Sequence, residues 1–94
     1  MGLLNEKTQP IYDYVFNNGH VGMGVIIVYR GNEDVVNGLC TILSRIGCNV
    51  MPYEVFDKSI TLKLGESMAK SLNMPMDLVV AIKQDGSVKY REIK

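Results

Sequence analysis

A short apolar run at residues 25–29, Val-Ile-Ile-Val-Tyr, constrains the fold of this chain more than any other sequence feature. Successive side chains of a strand point to opposite faces of a sheet, so a run that is apolar at every position predicts a strand covered on both faces. Gly22 and Gly24 precede the run and could allow another backbone segment to approach closely. We therefore place a strand over residues 21–30 in the centre of a sheet.

An amphipathic helix is predicted directly after this strand. Gly31 interrupts the strand, Asn32 is a good N-cap residue, and Glu33 and Asp34 suit the positive end of the helix dipole. Gly47 is the residue type expected just beyond the helix C terminus. The apolar residues recur at helical spacing and are Val35, Val36, Leu39, Cys40, Ile42, Leu43 and Ile46.

Two strands are predicted next. The first covers residues 49–56, and Pro52 predicts that it lies at a sheet edge or carries a bulge, because proline cannot donate to a ladder. Residues 60–64 alternate strictly between apolar and polar side chains. This alternation predicts a strand with one buried face and one solvated face.

The other predicted elements are a short helix over residues 9–16, a helix over 65–73, a strand over 78–83 and a last strand over 88–93. Asp85-Gly86 separates the last two strands and predicts a hairpin, because this pair readily takes the positive φ values of a tight turn.

The order of these elements predicts an α+β fold: a ferredoxin-like βαββαβ sandwich with an N-terminal helix and an extra C-terminal strand. We expect one domain, 1–94. It would consist of a leader and short helix (1–20), the βαββαβ core (21–83) and a C-terminal hairpin strand (84–94).

Self-association is predicted from the same topology. Two helices cover only one face of such a sheet, so apolar side chains on the other face, including Val79 and Ala81, would need another cover. The N-terminal helix could shield part of that face, but about two turns of helix are too short to cover it all. A second copy of the chain is the simplest cover, and equal numbers of acidic and basic residues (10 each) do not oppose it. We therefore expect a homodimer or a higher oligomer.

The charge balance also limits the classes of partner. With a formal net charge of +0, no global field attracts the chain to nucleic acid or to an anionic membrane, but this balance does not exclude a local patch. No apolar run is long enough to span a bilayer, and residues 1–18 do not resemble a signal peptide. We expect no membrane partner and a cytoplasmic location.

The sequence shows no catalytic or metal motif. Cys40 and Cys48 are too few and too widely spaced for a zinc site or a redox pair, and we interpret both as reduced, wholly or partly buried thiols. A lone His20 in a loop is typical of a surface residue. We therefore expect no cofactor, no bound metal and no enzymatic activity.

Residues 25–64 resemble an ACT-type regulatory domain, with a hydrophobic strand, a glycine-containing loop, an amphipathic helix and a turn, Gly-Cys-Asn-Val, into the next strand. ACT domains bind amino acids or similar small ligands at subunit interfaces. The resemblance implies Gly31, Asn32 and Asn49 as ligand-binding residues. Glu33-Asp34 stands where that family usually has Pro-Gly.

Residues 62–93 are similar to the swapped-hairpin DNA-binding domain of AbrB and MazE-type regulators. The resemblance rests on a strand, a short helix and the exit Leu-Asn-Met, and it implies Lys58, Lys63 and Lys70 as contacts to nucleic acid. The family has a proline where Gly65 stands, and several basic residues near it.

The leading hypothesis is therefore a non-enzymatic regulatory module that binds a small molecule, such as an amino acid, as a homo-oligomer. A small DNA-binding regulator and an adaptor that binds another protein through its sheet edge are the alternatives. The predicted core residues are Ile26, Val28, Leu39, Leu43, Ile46, Leu62 and Val80.

Overall fold

A computed structural model of the chain describes residues 4–18, 22–56 and 59–93. The elements are α1 (Gln9–Asn17), β1 (Gly24–Tyr29), α2 (Glu33–Arg45), β2 (Asn49–Glu54), α3 (Leu62–Ser71), β3 (Leu78–Ile82) and β4 (Val88–Glu92). They confirm the α+β class.

The four strands form one mixed sheet in the order β2-β1-β3-β4. β1 pairs in parallel with both β2 and β3, and β4 pairs with β3 in an antiparallel hairpin. The predicted central position of β1 and the predicted edge position of the strand that contains Pro52 are both confirmed. The hairpin turn is confirmed as well, with Gly86 at φ +91°.

The ferredoxin-like arrangement is not found, because the segment 60–64 is not a strand. Thr61 caps α3 instead: its hydroxyl accepts a hydrogen bond from the Leu64 amide at 3.1 Å. An alternation over five residues also places Ile60 and Leu64 four positions apart, which is helical spacing. Without this strand, α3 carries the chain from β2 across β1 to β3, which makes β1 and β3 parallel.

The helices cover both faces of the sheet. α1 and α2 pack on the face that carries Val25 and Ile27, while α3 packs on the face that carries Ile26 and Val79. All four of these strand residues are 0% exposed. The premise of the self-association prediction was therefore wrong, since this chain buries both faces by itself.

Five of the seven predicted core residues are fully buried. They are Ile26, Val28, Leu39, Leu43 and Val80. Ile46 and Leu62 are half-buried and pack at the margins of the two core layers.

Two glycines, Gly24 in β1 and Gly65 in α3, allow other parts of the chain to approach them closely. A Cβ on Gly24 would overlap the Pro75 carbonyl oxygen, which agrees with the predicted approach of another backbone to this segment. A Cβ on Gly65 would overlap Val79 Cγ2 and lie 3.2 Å from Val28 Cγ2, so α3 lies unusually close to the sheet. Within the described ranges, no helix is long and apolar enough to cross a membrane.

Candidate functional site

The carboxyl ends of β1 and β3 meet at the point where the chain reverses its direction across the sheet. From β1 the chain passes over one face to β2, and from β2 it returns over the other face to β3. Ligands of open sheets with parallel strands bind at such a switch point, outside the carboxyl ends of the strands. The residues that follow β1 and β3, Arg30 and Lys83, therefore occupy the position where a ligand is expected.

Two adjoining cavities lie at this position on the α3 side. The larger, about 240 Å³, is lined by Ile60, Thr61, Leu62, Lys63, Ala81, Lys83, Ser87, Lys89 and Arg91. The smaller, about 210 Å³, is lined by Arg30, Ile60, Lys83, Gln84 and Asp85. Because Ile60 and Lys83 line both cavities, we treat the two as one feature, the cationic cleft.

Positive charge dominates the larger cavity of the cleft. Among its described lining residues, Lys63, Lys83, Lys89 and Arg91 are cationic and none is acidic. α3 also begins here, at Leu62, so the positive end of its dipole adds to the same potential. In a chain with equal numbers of acidic and basic residues, this separation of charge is a local property of the fold.

Three of the four cations in the larger cavity have no carboxylate within ion-pair distance in the described part of the chain. Arg91 is the exception, since it pairs with Glu66 at 2.9 Å and lowers the pKa of that carboxyl group, with help from Lys70. Lys63 and Lys89 are exposed and Lys83 is half-buried. These three ammonium groups are therefore available to an anionic ligand.

The loops that bound the cleft are tied to each other. The Arg30 amide donates to the Ile82 carbonyl at 3.1 Å, and its guanidinium donates to the Phe56 carbonyl at 3.2 Å. The Asn32 side-chain amide donates to the carbonyls of Lys83 and Gln84 at 2.9 and 3.3 Å. The β1–α2 loop and the β3–β4 turn are thus joined before any ligand binds.

Acidic groups lie at the same carboxyl ends of the parallel strands, on the face of the sheet that α2 covers. The Glu33 and Glu54 carboxyl groups share a hydrogen bond, which raises the pKa of Glu54. The pKa of Glu33 is lowered, first by its own backbone amide and then by Glu54. Burial raises the pKa of Tyr29, and the nearby Glu54 and Glu33 carboxylates raise it further. Glu33 and Glu54 are exposed, and Tyr29 is half-buried.

Asp85 is the acidic residue at the smaller cavity of the cleft. Its carboxylate accepts a hydrogen bond from the Ser87 amide at 2.9 Å, which lowers its pKa. The carboxylate therefore helps to hold the hairpin turn, and it partly offsets the charge of Lys83 from one side.

The structure separates the residues that the ACT resemblance selects. Gly31 and Asn32 follow the carboxyl end of β1, whereas Asn49 begins β2 and pairs with Gly24 at the opposite end of the strands. Six residues of strand separate the two ends, about 20 Å. Asn32 occupies the predicted N-cap position of α2 but makes no capping bond, because its side chain bridges to the β3–β4 turn.

The lysines that the swapped-hairpin resemblance selects have different surroundings. Lys63 lines the cationic cleft. Lys70 lies one turn beyond Glu66 on α3 and pairs with it at 3.3 Å. Lys58 lies outside the described residues.

Among the described residues, the cysteines and potential metal ligands do not form a second site. Neither Cys40, half-buried, nor Cys48, buried, is in a disulfide, and burial raises the pKa of both thiols. Within residues 4–18, 22–56 and 59–93, no three His, Cys, Asp or Glu side chains group as metal ligands would. His20 lies outside these ranges.

Sequence reasoning missed Lys83, Lys89 and Arg91. One signal could have found two of them, since Lys89 and Arg91 are two positions apart in the last strand and so must share a face. Comparison with known protein families, with curated proteins and with solved structures gave no match, so geometry and chemistry alone define this site.

Proposed function

We propose that this protein is a non-enzymatic binding module whose ligand is a small polyanion held in the cationic cleft. The observation that carries the proposal is the placement of Lys63, Lys83 and Lys89 at the switch point of the sheet, with no described carboxylate within ion-pair distance of any of them. Cations that converge in one cavity raise the local concentration of anions and strengthen their binding.

A polyanion fits the cleft better than an amino acid does. A zwitterion would leave most of the lysine charge uncompensated, whereas a ligand with two or more negative charges would neutralise it. Phosphate groups and clustered carboxylates have this property, and Lys side chains bind phosphate as point charges. A cleft whose loops are already joined by Asn32 also avoids the entropic cost of ordering loops on binding.

Binding is the activity that the lining of the cleft supports. The lining residues of the larger cavity are cations, two hydroxyl groups and apolar side chains. Such a lining attracts and orients an anion.

The proposal is tested by titrating the protein with pyrophosphate at low ionic strength and following thermal unfolding. A ligand that binds only the folded chain raises its stability with the logarithm of ligand concentration. Lys83→Gln should weaken binding by about tenfold, because a hydrogen-bonded charge contact contributes roughly 1.5–3 kcal/mol in full and less at a half-exposed site. Lys70→Gln is the matched control on α3, outside the cleft, and should bind as the wild type does.

Two results would contradict this function. One is a melting temperature that does not change with pyrophosphate up to millimolar concentrations. The other is an equal loss of binding in the Lys70→Gln control, which would indicate a diffuse surface effect rather than a site.

A nucleic-acid-binding regulator is the second candidate. It is favoured by Phe56, which is 80% exposed beside Arg30, because an exposed aromatic ring next to a cationic groove suits a stacked base. Salt dependence separates the two candidates. A single strand that contacts several phosphates loses affinity with a log–log slope of about −0.7 per phosphate contacted, which exceeds the slope for a ligand with one or two charged groups.

A further inference from the structure

The outer edge of β4 has backbone groups that no described part of the chain satisfies. Lys83 donates to the Ser87 carbonyl at 2.9 Å and Ile93 donates to the Asp77 carbonyl at 2.8 Å. Hydrogen-bonded and non-hydrogen-bonded pairs alternate along an antiparallel ladder. Between these two pairs, Lys89 and Arg91 must therefore bond to β3, whereas Val88, Tyr90 and Glu92 turn their N–H and C=O groups outward.

The other edge of the sheet is blocked. Along β2, the amides of Asn49 and Val55 donate to the carbonyls of Met23 and Tyr29, so the alternate residues 50, 52 and 54 face outward. The central one is Pro52, which has no N–H. Of the two edges of the sheet formed by the described strands, only the β4 edge therefore offers a continuous ladder.

A groove follows the β4 edge. It is open to solvent, has a volume of about 540 Å³ and is lined by Tyr14, Glu66, Tyr90, Arg91 and Glu92. The rings of Tyr14 and Tyr90 lie 5.8 Å apart and provide a partly buried aromatic surface beside the outward backbone groups. A strand that paired with β4 would place a side chain against these rings.

A second copy of β4 is a poor occupant. Pairing across a two-fold axis keeps residues of one face opposite each other, and Lys89 and Arg91 occupy the same face. If the two-fold axis passes residue 89, Lys89 lies opposite Lys89 of the other copy. If it passes residue 90, Lys89 lies opposite Arg91, and if it passes residue 91, Arg91 lies opposite Arg91. Like charges directly opposite destabilise an antiparallel pair.

We propose that the β4 edge binds an extended acidic segment of another protein, which adds to the sheet as a fifth, antiparallel strand. Acidic side chains would lie opposite Lys89 and Arg91, and a β-branched or aromatic side chain opposite Tyr90. Arg91 already shares Glu66 with Lys70, so Lys89 provides the larger uncompensated charge. A basic residue would complement Glu92 at the end of the strand.

The probe is the acetylated and amidated peptide Thr-Lys-Glu-Ile-Glu-Val-Thr, which places lysine opposite Glu92 and isoleucine opposite Tyr90. It is titrated into ¹⁵N-labelled protein. We expect the amide signals of Val88, Tyr90 and Glu92 to shift and their hydrogen exchange to slow, because these three amides gain acceptors.

Two matched peptides test the backbone ladder. N-methylation of the isoleucine removes an N–H that faces Tyr90 and should weaken binding by about tenfold. N-methylation of the glutamate before it removes an N–H that faces solvent and should have a much smaller effect. The charge-reversed peptide Thr-Glu-Lys-Ile-Lys-Val-Thr should bind the wild type more weakly, and Lys89→Glu should reduce or invert that difference.

Three outcomes of the peptide titrations would overturn the proposal. They are no binding at millimolar peptide, equal binding of the two N-methylated peptides, and shifts confined to Lys63 and Lys83 at the cationic cleft. Sedimentation showing a dimer of the chain that the peptide dissociates would also overturn it, since the edge would then belong to a second copy.

Discussion

The contact between α3 and the sheet provides a sharp test of the fold, through the substitution Gly65→Ala. In an unconstrained helix this change stabilises by about 1 kcal/mol, because alanine has the higher helix propensity. Here the new methyl group would overlap Val79 Cγ2 and crowd Val28 Cγ2, and both valines are 0% exposed. The short, branched valine side chains cannot swing away, so the methyl must displace α3.

The expected magnitude follows from these two opposing effects. Adding a methyl group to a packed core costs about 1–3 kcal/mol, and the helix propensity offsets about 1 kcal/mol of it. We expect a net loss of roughly 1–2 kcal/mol in the free energy of unfolding, because the overlap is severe. For a domain of this size, that corresponds to a melting temperature lower by about 4–16 °C.

The assay is urea unfolding at 25 °C with Ser67→Ala as the reference, since Ser67 is exposed on the same helix and reports propensity alone. Val79→Ala removes the obstructing methyl groups, so Gly65→Ala should become neutral or stabilising in that background. The coupling between the two substitutions should be about 0.5–3 kcal/mol. A Gly65→Ala protein as stable as Ser67→Ala would refute the close packing of α3 on β3.

Three further predictions concern packing, charge and assembly. Leu43→Ala should cost roughly 2–5 kcal/mol by urea unfolding, because Leu43 lies on the buried face of α2 and is 0% exposed; a loss below about 1 kcal/mol would mean that α2 is not docked as described. Glu54→Gln should raise the melting temperature at pH 7 and have less effect below pH 4. Because the pKa of Glu54 is raised in the folded protein, protonated Glu54 stabilises the fold at low pH, and this contribution is lost as pH rises through the raised pKa. The pKa of Glu33 is lowered, so ionised Glu33 stabilises the fold, and that contribution is lost as pH falls through the lowered pKa. A pH-independent effect of Glu54→Gln would show that the two carboxyl groups do not interact. Sedimentation equilibrium at micromolar concentration should give a monomer, because the chain's own helices cover both faces of the sheet, and a dimer mass would contradict this expectation.

The strongest local patterns predicted the fold elements correctly, and the topology depended on one weak pattern. The run of apolar residues at 25–29 required a strand with two covered faces, and that is what β1 is. The error lay in the five residues 60–64, whose alternation suits a strand and whose capping threonine suits a helix start. Assigning them to a strand left one face of the sheet uncovered, and the expected dimer followed from that assignment.

The candidate site could be predicted only in part, because its residues come together through the topology. Lys63, Lys83 and Lys89 belong to α3, to the residue after β3 and to β4, and only the parallel crossover brings the start of α3 to the end of β3. The ACT resemblance selected Gly31 and Asn32 in the β1–α2 loop, which bounds the cationic cleft. It also selected Asn49, which begins β2 and lies at the opposite end of the strands because β1 and β2 are parallel.

Gly65 determines both how closely α3 packs on the sheet and where Lys63 lies in the cationic cleft. Gly65 lets the first turn of α3 approach Val79 and Val28, and Lys63 lies two residues before it, at the lining of the larger cavity. A side chain at position 65 would move this turn away from β3 and carry Lys63 away from Lys83. Gly65→Ala should therefore weaken pyrophosphate binding as well as stability, whereas Leu43→Ala, on the opposite face, should reduce stability alone. Equal pyrophosphate affinity of Gly65→Ala and Leu43→Ala, measured under conditions in which both proteins are folded, would show that the cleft does not depend on the close packing of α3.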